Sequence, residues 1–159
     1  MKKTYRIGLG NTLAIGFIAG AVGVGVMTFS EKIEQFFTGR PNSYVPAHTL
    51  ERILRLPYRP DSERVCLNLG MHYGQGAAAG CIRALMATYG VIGPFSSFIF
   101  TFIRLAIDQT LENATGVGAP PWTWPFKEQV IDILHKFVYA FTTGAIADYI
   151  ITKKFIKYD

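Results

Sequence analysis

Cysteine is nearly missing from this chain, with only Cys66 and Cys81 among 159 residues. They form no C-x-x-C and no dense even pattern, which excludes a disulfide framework and a zinc knuckle. Both are expected to be small, buried, reduced side chains. Charge is scarce as well: 17% of residues are charged and 50% are hydrophobic, against roughly 25% charged in an ordinary soluble domain. There is no Walker or dinucleotide glycine loop and no G-x-S-x-G, so nothing points to phosphate cradling or a serine nucleophile. Acids are outnumbered by Lys and Arg, 11 to 16, for a net charge of +5. The bases fall singly, with no basic helix and no RNA-binding aromatic motif, which argues against nucleic acid as a partner. They read instead as topology signals and contacts for anionic lipid.

What the chain does have is a long apolar run. Ile7 to Phe29, IGLGNTLAIGFIAGAVGVGVMTF, carries no charge and no proline and follows Lys2, Lys3 and Arg6. At about 1.5 Å per residue it can cross a hydrocarbon core of about 30 Å. A secretory signal is the rival reading, with Ala19-Gly20-Ala21 as the cleavage site. The apolar stretch runs on through Phe29, longer than an ordinary signal core, so a retained helix is expected. The mean hydropathy of +0.23 is modest for a chain of several spans, so later spans must carry polar residues.

The expected fold is all-α, a single integral membrane domain over residues 1–159 built as a four-transmembrane-helix bundle. The spans fall at about 8–29, 65–91, 95–111 and 130–151. A polar loop occupies 30–64, with a short amphipathic helix at Thr49–Leu56, TLERILRL, between Pro46 and Pro57. That helix lies on the membrane surface or over the bundle mouth. Trp122 and Trp124 in PPWTWP suit the interface. Gly16-x-x-x-Gly20, Gly70-x-x-x-Gly74 and Gly76-x-x-x-Gly80 offer small faces for close packing of the first and second spans. The basic residues near both ends, Lys2, Lys3, Arg6, Lys153, Lys154 and Lys157, favour cytoplasmic termini; which membrane is occupied is not written in the sequence.

An even number of crossings brings ionisable residues from distant segments to one membrane face. Glu31 and Glu34 end the first helix, and His72 and Gln75 begin the second. Asp108 and Glu112 end the third, with Arg104 one turn before Asp108. Glu128, Asp132 and His135 begin the fourth. Ionisable groups inside spans face the protein interior or a wet cavity. Arg104 and Asp108, four apart, can neutralise each other. Arg83 and Asp148 share the opposite depth and form a second possible network, although their faces do not obviously meet.

Three roles fit such a cluster. It can be a satisfied polar network that fixes helix register or serves a partner, and this non-enzymatic reading leads. It can be a proton or ion pathway, with histidines beside carboxylates as relays. It can be a metal or haem site: Asp132-x-x-His135 has the spacing of carboxylate-bridged di-metal proteins, and His72 with His135 could ligate haem. No acid stands three residues before His72, so no metal site and no cofactor are predicted, with His72, Asp132 and His135 the weak candidates. The bilayer is the expected partner, together with a second copy or another membrane protein.

The strings TGRPNSYVPAHTLERIL, LGMHYGQG, IRALMATYGVIGPF, RLAIDQTLEN, GVGAPPWTWP and EQVIDILHKFVYAFTTG resemble an uncharacterised family of small multi-pass membrane proteins common in fungi, with bacterial relatives. In architecture the chain is also similar to YagU-like inner-membrane proteins, which place a Pro-Trp segment before an acid- and His-bearing last helix. The resemblance implies an all-helical membrane protein and carries no catalytic residue.

Overall fold

The computed structural model describes residues 7–154. Lys2, Lys3, Arg6 and Lys157, read above as topology signals, lie outside them. Among the described residues the chain is all-helical, with five α-helices and two 3₁₀ turns at Asp61–Glu63 and Pro121–Thr123. The α-helices are α1 Leu9–Thr38, α2 Val45–Leu54, α3 Val65–Thr88, α4 Pro94–Ala114 and α5 Phe126–Lys154. α1 and α5 are long and apolar enough to cross a membrane. α3 and α4 have the length but fall short in apolar character.

The helices differ from expectation chiefly at their ends. α1 continues nine residues past Phe29 because Glu31, Lys32, Glu34 and Gln35 are good helix formers and no breaker intervenes. It stops at Gly39, whose φ of 69° lets its N–H reach back to the Gln35 carbonyl at 2.9 Å. α2 begins four residues earlier than the expected Thr49. Pro46 sits in its first turn, where a missing N–H costs nothing, rather than before it. α4 opens on Pro94 for the same reason. α5 starts at Phe126, directly after Pro125.

The long helices alternate in direction. α1 packs on α3 and α5, and α4 packs mainly on α5. The contact of α1 with α3 is made by glycine, where backbones approach without side chains between them. A Cβ placed on Gly16 would lie 2.5 Å from the Cys81 Cα and 2.7 Å from the Gly80 carbonyl oxygen. One on Gly80 would lie 2.7 Å from the Gly20 Cα. Gly70 and Gly74 do not take part: nothing lies within 4 Å of a Cβ at either. They sit on the outer face of α3, so of the expected pairs only Gly16/Gly20 and Gly76/Gly80 build the interface. The cysteines also depart from expectation, Cys66 being exposed and Cys81 half-buried. Cys66 lies in the first turn of α3, away from the faces that pack.

α2 is held on the start of α3 by its polar side. The Arg64 guanidinium is fully buried, 2.7 Å from the Glu51 carboxylate and 2.5 Å from that of Asp61, with the Tyr58 ring 4.4 Å away. Asn68 accepts the Ala47 N–H and donates to the Ser43 carbonyl, both at 3.1 Å. Ile53, Leu54 and Leu56 are left exposed together with Arg52, so α2 turns Glu51 inward and its aliphatic edge outward.

Candidate functional site

Where α1 and α4 end and α3 and α5 begin, the four long helices enclose a cavity of about 560 Å³. Its lining includes Glu31, His72, Gln75, Arg104, Asp108, Glu112, Glu128, Asp132 and His135. Glu34 does not line it. Its carboxylate instead meets Arg40 at 2.9 Å and accepts the Thr38 hydroxyl at 2.7 Å. Arg40 also reaches Glu128 at 3.6 Å, so the rim is stitched from the end of α1 to the start of α5.

Asp108 is the centre of the cluster. One of its oxygens lies 2.7 Å from Arg104 Nη1 and accepts Gln75 Nε2 at 2.5 Å, and the other lies 3.1 Å from Lys136 Nζ. Lys136 is in turn 3.4 Å from Asp132. One carboxylate thus joins α3, α4 and α5, and each charge faces an opposite one, which is what makes burial tolerable. The Arg104 guanidinium lies 5.2 Å from the Tyr139 ring, and the Tyr139 hydroxyl donates to the Gly76 carbonyl at 2.5 Å.

Lys136, Tyr139 and Arg40 are absent from the residues singled out in the sequence. The signal for Lys136 is present: Asp132-x-x-x-Lys136 is an i,i+4 acid–base pair, and 132, 136, 139 and 143 form one helical stripe. Arg40 carries no such signal, since it lies past the end of α1 and is placed by the Gly39 turn.

Below this cluster the interior is packed. Val24, Met27, Ala79, Phe100, Tyr139 and Ala140 form a packed layer, each at most 4% exposed. None of them lines the cavity, so the layer closes its floor.

The second polar pair lies beyond that floor. Arg83, fully buried, meets the Asp148 carboxylate at 2.7 Å, and the same oxygen accepts the Gly93 N–H at 2.8 Å. The arginine is long enough to turn around the helix face that seemed to separate the two. Gly144 leaves it room: a Cβ there would lie 3.0 Å from Arg83 Nε. Asp148 therefore fastens α5 to α3 and to the start of α4. Asp148→Ala leaves Arg83 buried without its counterion. The expected loss is about 2–3 kcal/mol of stability, below the full value of a buried pair because Asp148 keeps some contact with water. Urea or SDS unfolding monitored by circular dichroism measures it.

His72 and His135, on α3 and α5, open on the same cavity. Asp132 spends its carboxylate on Lys136 rather than standing free beside His135. Among the described residues no three His, Cys, Asp or Glu side chains are grouped to share a metal ion.

Fold and site together define an all-helical protein with two helices of membrane-crossing character and a charge-lined cavity at one end. No family model, curated protein or solved structure matches the chain.

Proposed function

We propose that the chain is a multi-pass integral membrane protein in which α1, α3, α4 and α5 all cross the bilayer as a bundle. In this reading the ionisable interior fixes helix register and holds open a polar cavity at one membrane face, where a ligand or a partner's polar group binds. The protein works by binding and not by chemistry.

The observation that carries this is an inverted polarity. Arg83, Arg104 and Asp108 are at most 4% exposed. Many large apolar side chains on all four long helices are exposed, among them Phe17 and Phe29 on α1, Leu69 and Ile82 on α3, Phe98 and Phe102 on α4, and Leu134 and Phe137 on α5. Water penalises such a surface, and a lipid environment is its natural solvent. The closed floor supports a binding site over a pore within one copy.

Topology tests the four-span reading directly. Single cysteines at Ser43, Tyr89 and Ala119, in a background with Cys66 and Cys81 replaced by alanine, are treated with an impermeant maleimide in sealed vesicles. Four crossings put Tyr89→Cys on one side and Ser43→Cys with Ala119→Cys on the other. Labelling of all three from one side leaves only α1 and α5 crossing and ends this reading. Liposomes carrying the protein are expected to hold a pH gradient as well as empty ones. A leak that falls with His72→Ala or His135→Ala replaces binding by a proton relay.

A further inference from the structure

The cavity divides its polar groups into those already paired and those left free, and the division selects a ligand. Three of its four cations are ion-paired. Arg104 is paired with Asp108, Lys136 with Asp108 and Asp132, and Arg40 at the rim with Glu34 and Glu128. Lys32 is exposed and donates to Gln35 at 3.1 Å. Two acids are not committed: among the described residues Glu31 on α1 and Glu112 on α4 line the cavity, are partly buried, and enter no ion pair. His135 is only 6% exposed and lines the same space, yet its ring holds no hydrogen bond and no ion pair among the described residues. The buried Nε2 of His72 also has no partner.

A carboxylate only accepts hydrogen bonds, and a neutral imidazole offers one accepting nitrogen. Apart from an N–H on each ring and the Arg104 Nε, the free functions are therefore acceptors, and two of them are carboxylates in a half-buried setting where charge without a counterion is costly. An anion entering here would meet five carboxylates, and Lys32, the lining cation without an ion pair among the described residues, is exposed and already donates to Gln35 and Asn42. A positively charged donor would satisfy both carboxylates and an accepting imidazole nitrogen at once. The lining also has apolar and aromatic side chains, among them Leu69, Val117, Tyr44 and Trp124. The Trp124 ring is held by its own N–H, which donates to the Ala119 carbonyl at 2.8 Å. Aromatic faces attract cations and cover apolar bodies. The volume of about 560 Å³ suits a small organic molecule. We infer that the cavity binds an organic cation, a primary ammonium or guanidinium on an apolar body, with Glu31, Glu112 and His135 around the charged head and Trp124 against the body. This deepens the binding reading above and needs only that the cavity be open to water at its mouth.

Phenethylammonium is the probe, and 3-phenylpropionate, with the same ring and the opposite charge, is the control. Both are titrated into the full-length protein in an uncharged detergent, followed by calorimetry and tryptophan fluorescence. The expected result is one phenethylammonium per chain with Kd of about 1 mM or tighter, and no response to phenylpropionate. Glu31→Gln and Glu112→Gln are each expected to weaken binding about tenfold and together to abolish it, while the far-ultraviolet circular dichroism spectrum is retained. If either variant fails to fold, the preference of the unaltered protein for ammonium over carboxylate decides. Absence of binding up to about 10 mM, equal binding of the two probes, or variants that bind like the parent overturns the inference. If that happens while Tyr89→Cys labels opposite Ser43→Cys, the ligand class falls and the membrane topology stands.

Discussion

Asp108→Ala is expected to cost about 3–5 kcal/mol of stability and to lower the melting temperature in detergent sharply. The carboxylate it removes is 4% exposed and faces two cations, Arg104 at 2.7 Å and Lys136 at 3.1 Å, from two different helices. Both cations stay behind. Lys136 retains Asp132 at 3.4 Å, but Arg104 has no second carboxylate among its ion pairs. Truncating one member of a buried network is costly because the others are left desolvated, a larger effect than the net worth of the intact network. The control follows from the same logic. Replacing Arg104, Asp108 and Lys136 together by apolar residues of similar volume is expected to cost much less than Asp108→Ala alone. Thermal unfolding followed by circular dichroism and size-exclusion profile reads both. A melting temperature unmoved by Asp108→Ala would show that this carboxylate does not join the helices.

Gly80→Ala is expected to destabilise the protein by about 1–3 kcal/mol, and Gly74→Ala, six residues away on the same helix, to be neutral or stabilising by about 0.5–1 kcal/mol. The chemical change is identical. The surroundings differ: a methyl at Gly80 meets the backbone of α1 at Gly16 and Gly20, while one at Gly74 meets nothing within 4 Å. Backbone cannot turn aside as a side chain can, so α1 and α3 must separate and the contacts at Gly16 and Gly20 loosen with them. SDS titration of the two variants side by side measures the difference. Equal effects would mean that α1 does not lean on Gly80.

Both predictions concern one division of labour. Close glycine packing sets the distance between α1 and α3 on the side away from the cavity. Charge pairing sets the register of α3, α4 and α5 around it. Lys136 is held between Asp108 and Asp132, which leaves Glu31 and Glu112 in the cavity without an ion pair among the described residues. The Arg83–Asp148 pair with the Gly93 N–H does the same at the far end, where the short turn between α3 and α4 leaves little chain to absorb slack.

Composition and periodicity were enough for the helices and for the convergence of distant acids and histidines. An apolar run from Ile7 to Phe29 without charge or proline is far longer than a strand and satisfies its own backbone as helix, and alternating helices bring every second connection to one end. Glu31, His72, Asp108, Asp132 and His135 were legible for that reason. Depth along a helix follows from counting residues. Direction around it does not translate into contact until the neighbouring axes are placed. Gly70/Gly74 and Gly76/Gly80 look alike as strings, and only the position of α1 chose between them. Lys136 and Tyr139 joined the cluster, and Glu34 left it for Arg40, because a turn at Gly39 and the lean of α5 against α4 decided which side chains came within reach. Arg83 found Asp148 across an apparent change of face because a long, flexible side chain reaches further than a helical wheel records.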